Sequence, residues 1–207
     1  MVAAAATNVP PRFGLAPSLP KLWHRIVFVS QGWQDAVYVK TSPIHGLGVF
    51  ARRTFATGET ILVRDERPVT AAEPLDESAG EYDQHCDWLE GGRQVYLGFP
   101  ERHVNHSCDA NSFHRRIAGT THLVALRPIH PGDEITNHYC IDLSAGEAWS
   151  CACGSERCLG TIPGDFFGLP LSLQIELQPL LSEWFIAEHV DQLEALMREA
   201  GLDQVSR

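Results

Sequence analysis

Cys151, Cys153 and Cys158 put three thiols within eight residues. Thiols so closely spaced serve a metal or a disulfide, and structural zinc takes four tetrahedral thiolate or imidazole ligands. Three cysteines therefore require a fourth ligand from elsewhere. Cys108 leads, because it lies in a second segment rich in functional groups, with Cys86, Cys140 and a nearby histidine as rivals. The alternative is a disulfide pair beside a free thiol. The second segment, Arg102-His103-Val104-Asn105-His106-Ser107-Cys108-Asp109-Ala110-Asn111, is dense in hydrogen-bonding groups. Adjacent Asn105 and His106 suit an adenine edge or a ligand carboxylate, or else an Asx-rich loop that caps itself. A third segment runs Ser42-Pro43-Ile44-His45-Gly46-Leu47-Gly48-Val49-Phe50. Its alternating glycines let a backbone approach a ligand closely, although G-x-G alone also describes an ordinary turn.

Elements with strand and helix periods must carry these segments. Ile26-Val27-Phe28-Val29 and Ala36-Val37-Tyr38-Val39 are short β-rich runs. Residues 51–61 and 125–135 echo each other as A-x-R-x-F/I-x-x-G-D/E-x-I, which predicts two similar β-turn-β corners in one domain of small sheets. Between them, Ala71 to Gly92 reads as an acidic loop, and residues 113–117 and 122–126 as a hairpin around Ala118-Gly119-Thr120. From about Leu171 to about Ala200 apolar residues recur at helical spacing, predicting one or two amphipathic helices ended by Gly201. Residues 1–24, with four prolines among the first twenty, read as a flexible or irregular arm. The expected fold is mainly β with C-terminal α.

A chain of 207 residues with 44% hydrophobic content can build one domain with a real core. The net charge of -10, from 26 acidic and 16 basic side chains, argues against direct nucleic-acid binding. It suits a cationic partner such as a Lys/Arg-rich tail, or simply solubility. No stretch approaches the roughly 20 apolar residues of a membrane span, and the start lacks a signal-peptide pattern. Clustered cysteines without such a signal imply a reducing, intracellular compartment: cytoplasmic, or nuclear in a eukaryote.

Together the segments resemble the SET-domain family of protein lysine methyltransferases, over about residues 35 to 162. Ile44 to Ala51 is similar to the family's I-H-G-x-G-L/V/I-F/Y-A, and Arg102 to Asn111 to R-F/W-I/V-N-H-S-C-D/E-P-N. Pro131 to Tyr139 resembles P-G-E-E-L/I-T-Y/F-D-Y, and Cys151 to Gly160 the post-SET signature C-x-C-G-S-x-x-C-x-G. The resemblance implies a SET-type β-clip at 25–143, a post-SET zinc segment at 147–163 and a helical extension at 164–207. It implies S-adenosylmethionine as methyl donor, held by His45, Gly46, Leu47, Asn105, His106 and Tyr139. Tyr139 matches the catalytic tyrosine, and the acceptor would be a lysine of a protein or peptide. One structural zinc ion would be held by Cys108, Cys151, Cys153 and Cys158.

Departures from the family pattern include His103 for an aromatic, Ala110 for proline, Asn137 for the first aromatic of T-Y/F-D-Y, and His138 for its aspartate. A small polar Asn137 is expected to widen the amine channel or admit a water. That keeps two other readings open, a methyltransferase of a free amino acid or peptide natural product, and a non-catalytic donor- or peptide-binding module. No cysteine precedes Cys86, so no cysteine-rich pre-SET region is expected and nothing points to histones in particular.

Overall fold

The computed structural model describes residues 32–202. The predicted arm at 1–24 and the strand-like run Ile26 to Val29 lie outside the described residues. The sequence echo has a direct structural meaning. Strand β1 (Val37–Thr41) pairs with β2 (Leu47–Ala51), and β2 leads through a turn to β3 (Thr60–Val63). The second copy leads from a hairpin strand to another strand through the matching turn.

The two turns bond to each other reciprocally. Phe55 and Ile129 exchange N–H···O bonds of 2.9 and 3.0 Å. Ala51 N–H donates to Asp133 C=O and Gly132 N–H to Ala51 C=O, while Ala125 N–H donates to Glu59 C=O and Gly58 N–H to Ala125 C=O. Gly58 and Gly132 hold φ of 81° and 93°, the left-handed turn conformation glycine takes without a Cβ penalty. The shared apolar positions Ala51, Phe55, Ile61, Ala125, Ile129 and Ile135 are all fully buried. Each large one contributes about 1.5–3 kcal/mol by leaving water. The echo is thus the record of a pseudo-two-fold core.

A hairpin of β8 (Ser112–Ile117) and β9 (Thr120–Ala125) turns at Ala118 and Gly119, both with positive φ, as a two-residue hairpin requires. β10 (Glu134–Asn137) joins β2 to β8 and completes the order β1-β2-β10-β8-β9-β3. The short β7 (Asn105–His106) lies parallel to β10, with Asn105 opposite Thr136 and His106 opposite Asn137.

Two expectations need correction. Strand β1 starts at Val37, because Ala36 closes a single helical turn, α1 (Trp33–Ala36), whose Trp33 meets Phe99 edge-on at 5.1 Å. The acidic stretch 71–92 is not all loop. β4 (Glu66–Pro68), β5 (Cys86–Leu89) and β6 (Arg93–Leu97) form a separate sheet in the order β4-β6-β5. Four residues carry too little alternation to announce β5, and its pairing with β6 specifies it instead.

Two-residue strands β11 (Trp149–Ser150) and β12 (Thr161–Ile162) bracket the cysteine run. Three helices follow, where one or two were expected: α2 (Leu171–Leu177), α3 (Glu183–Glu188) and α4 (Val190–Glu199). A 3-10 turn carrying Pro179 interrupts the first, and the Ser182 hydroxyl caps α3 by accepting from Phe185 N–H. Gly201, at φ 70°, follows α4 as expected. Leu173, Leu177, Phe185, Leu193 and Leu196 share one apolar cluster with Cys108, Cys140, Ile162 and Phe166. The helices therefore pack on the cysteine segment.

Asp142 ties the end of the sheet region to α3, accepting from Ser182 N–H at 2.8 Å. Burial pushes its carboxyl from 3.8 up to about 6. A folded-state pKa above the unfolded value gives stability below about pH 4 that is lost as pH rises through about 6. Asp142→Asn keeps an acceptor for Ser182 and removes that loss. The variant should melt a few degrees above wild type at pH 8 and level with it near pH 4, by calorimetry at both pH values. Equal melting at pH 8 would contradict the cost assigned to this carboxylate.

Candidate active site and metal centre

The glycine segment is shaped by its own bonds before any ligand is considered. Ser42 N–H donates to Gly46 C=O at 3.0 Å, and Ile44 N–H to the Ser42 hydroxyl at 2.9 Å. Gly46 turns the chain at φ 47°. Asn105 then reaches across from β7. Its amide nitrogen lies 3.1 Å from His45 C=O, 3.0 Å from Leu47 C=O and 2.8 Å from Glu134 Oε1. Two amide hydrogens are shared among these three acceptors. The Ser42 hydroxyl sits 2.8 and 2.9 Å from the two Glu134 oxygens. Gly48 is where the glycine matters most, since a Cβ there would stand 2.4 Å from Glu134 Oε1. That space belongs to Glu134 rather than to a ligand. Neither Ser42 nor Glu134 was assigned a role from sequence, because a serine opening a loop and an acid after a turn are both commonplace.

His106 and Tyr139 meet beside this loop. Tyr139 N–H donates to His106 Nδ1 at 3.2 Å, and its hydroxyl donates to Val104 C=O at 2.7 Å. With Nδ1 accepting, the network assigns the ring proton to Nε2, which faces Cys108 Sγ at 3.6 Å. Burial lowers His106 to about 3, so the ring is neutral at pH 7. Burial around the Tyr139 hydroxyl pushes it up to about 12, although the residue as a whole is 44% exposed. Leu47, at 45%, is similarly open. Trp149 completes the aromatic wall, 5.8 Å from the His106 ring and 6.2 Å from Tyr139. Sequence reasoning missed Trp149; its one signal was an aromatic two residues before Cys151.

The departures at Asn137 and His138 are built into the interior. Asn137 Oδ1 accepts from His138 N–H at 2.8 Å, and its amide nitrogen lies 3.0 Å from His114 Nδ1. His114 Nε2 is 2.9 Å from Glu101 Oε1, which also receives Arg64 Nε at 2.9 Å. Burial alone would raise Glu101, but the bonds and charges of His114 and Arg64 outweigh it and hold the acid below its ordinary value. The amide of Asn137 is thus tied to His114. His138 is fully buried, lowered to about 4 by that burial, and its ring packs 4.9 Å from His106.

The sulfur atoms of Cys108, Cys151, Cys153 and Cys158 all lie within 4.8 Å of one another. Cys108 and Cys151 are 3.9 Å apart. Tetrahedral thiolates at a zinc–sulfur bond of about 2.3 Å would sit about 3.8 Å apart, so the donor set fits one such ion. Gly154 makes the turn inside the run at φ 72°. Against a burial that raises it, backbone N–H groups of Cys108 and Ser155 and the neighbouring thiols draw Cys153 down to about 6. Of the other cysteines, Cys86 lies on β5, and Cys140 is buried in the same apolar cluster as Cys108 but outside the four-sulfur group, its thiol pushed up to about 12 by burial. All six cysteines are free.

Residues 46–140 match the family described as SET domain. This stretch, a little under half of the chain, is thus similar to the SET domain. The matched stretch opens at Gly46 in the glycine loop and takes in Asn105, His106, Cys108 and Tyr139. Trp149 and the other three clustered cysteines lie beyond it. Histone-lysine N-methyltransferase 2B of Homo sapiens is 31% identical over 137 residues, covering 60% of this chain and 5% of that protein. Histone-lysine N-methyltransferase trithorax of Drosophila virilis is 28% identical over 160 residues, covering 72% of this chain and 4% of that protein. The chain thus spans about one twentieth of the length of these relatives. A crystal structure of KRYPTONITE, 19% identical, aligns with 60% of this chain and 28% of its own at a TM-score of 0.47. No helix among the described residues is long and apolar enough to cross a membrane.

Proposed function

We propose that this chain transfers a methyl group from S-adenosylmethionine to the amine of a lysine in a protein or peptide. One observation carries the reading: Asn105 bonds the glycine-loop backbone, its neighbour His106 bonds Tyr139, and Leu47 and Tyr139 remain open beside them. The relatives' names, as histone-lysine N-methyltransferases, support a lysine acceptor. The net charge of -10 favours a basic segment around it.

When bound, S-adenosylmethionine supplies a methyl group on a positively charged sulfur. The backbone of His45, Gly46 and Leu47 would form one wall of its site, held in shape by Asn105. Neutral His106 fixes the backbone of Tyr139, and the Val104 carbonyl fixes its hydroxyl. Tyr139 is the catalytic residue in this reading. With a pKa near 12 it stays protonated and works as a dipole that orients the reacting amine. Zinc on Cys108, Cys151, Cys153 and Cys158 would be structural, because four thiolates leave no open position. It would pin residues 147–163 against a SET region at 25–143, with 164–207 as a helical extension.

Calorimetry with S-adenosylmethionine tests the donor site. Wild type should bind at low-micromolar to weaker affinity, and His106→Ala should weaken binding about tenfold, by releasing the backbone of Tyr139. No binding by wild type would remove the proposal.

A further inference from the structure

Glu134 grips the glycine loop from both of its ends. On one side the single Ser42 hydroxyl hydrogen is shared between the two carboxylate oxygens, at 2.8 and 2.9 Å, and the hydroxyl oxygen in turn accepts from Ile44 N–H. On the other, Asn105 links Glu134 Oε1 to the carbonyls of His45 and Leu47. Glu134 is itself fixed in the sheet, where β10 pairs with β2 by setting Glu134 opposite Phe50. Its backbone carbonyl accepts from the Asn111 amide at 2.8 Å. Ser42, Gly48 and Asn105 together leave the carboxylate one place to lie, since any side chain at position 48 would strike it. A residue with these links decides the conformation of residues 42–48 without facing a ligand itself.

We infer that Glu134 is a positioning residue for the methyl donor, setting the loop that binds it, while Tyr139 is held by other partners, His106 and Val104. The inference rests on the proposed donor site. Its signature is a split in the kinetics: donor affinity depends on Glu134, while turnover at saturating donor and the KM for the amine do not follow it. A carboxylate accepts at both oxygens, whereas glutamine offers one acceptor and turns a donor toward Ser42 or Asn105.

The test uses the full chain, with S-adenosylmethionine as the probe in calorimetry and a methyl-transfer assay on a lysine-containing protein substrate. Glu134→Gln should weaken donor binding and raise the donor KM about tenfold, the loss typical of a hydrogen bond to a charged group. Turnover at saturating donor should fall far less, and the amine KM should hold. Ser42→Ala, which removes one arm and keeps the carboxylate, should give a smaller shift of the same kind and serves if the glutamine variant does not fold. Wild-type donor affinity in a folded Glu134→Gln or Ser42→Ala protein would overturn the inference. So would an equal loss in turnover and both KM values. If wild type itself binds no donor, the proposed site has failed and the inference fails with it.

Discussion

Tyr139→Phe should lower turnover by about 10² to 10³ while leaving the fold and donor affinity nearly unchanged. The asymmetry comes from where the hydroxyl sits. In the structure it makes one bond, to Val104 C=O at 2.7 Å, at the edge of an exposed ring. Losing that bond costs about 0.5–1.5 kcal/mol of stability. A group that orients the reacting amine in the transition state contributes more there than in the ground state, so its removal is felt in rate. The ring's contacts with His106 and Trp149 survive the substitution. Rapid-quench or steady-state assays at saturating donor should read the fall, with circular dichroism and calorimetry as controls. Turnover equal to wild type would take Tyr139 out of the mechanism.

Cys108→Ser should strip the metal and loosen everything C-terminal to the sheet. Purified wild type is expected to carry one zinc per chain by elemental analysis, and the variant far less. The effect is large because Cys108 is the one member of the four-sulfur group that lies outside the run 151–158, and it belongs to the same apolar cluster as Phe166, Leu173 and Phe185. Binding free energy at a structural zinc site is folding free energy, on the order of 10 kcal/mol in small zinc domains. Hydrogen exchange should then rise across residues 147–199 before it rises in β2, β9 or β10. Full zinc content and unchanged exchange in Cys108→Ser would refute the ligand assignment.

How much of this was legible beforehand follows from the range of each interaction. The hairpin at Ala118-Gly119, the end at Gly201 and the paired corners were readable because local backbone chemistry writes them. The echo could be seen in sequence, but not that its two copies bond reciprocally, since that is contact between residues about seventy-four apart. Spacing alone left four candidate ligands for the cysteine run; the family resemblance pointed to Cys108, and the fold brings its sulfur to the other three. Glu134, Ser42 and Trp149 went unassigned for the same reason, each being ordinary alone and distinctive only beside its partners. Asn137 has a partner that the sequence did not announce. Its small side chain suggested space, and His114, from a different strand, stands against its amide.

The central claim is transfer of a methyl group to a lysine amine, and one measurement meets it directly. The full chain is incubated with isotopically labelled S-adenosylmethionine and a cell extract, and proteins and small molecules are then read by mass spectrometry. Labelled methyl groups on lysine side chains of one or a few proteins, abolished by Tyr139→Phe, are the predicted result. Donor binding with no labelled amine in any fraction, or label confined to small molecules, would contradict it.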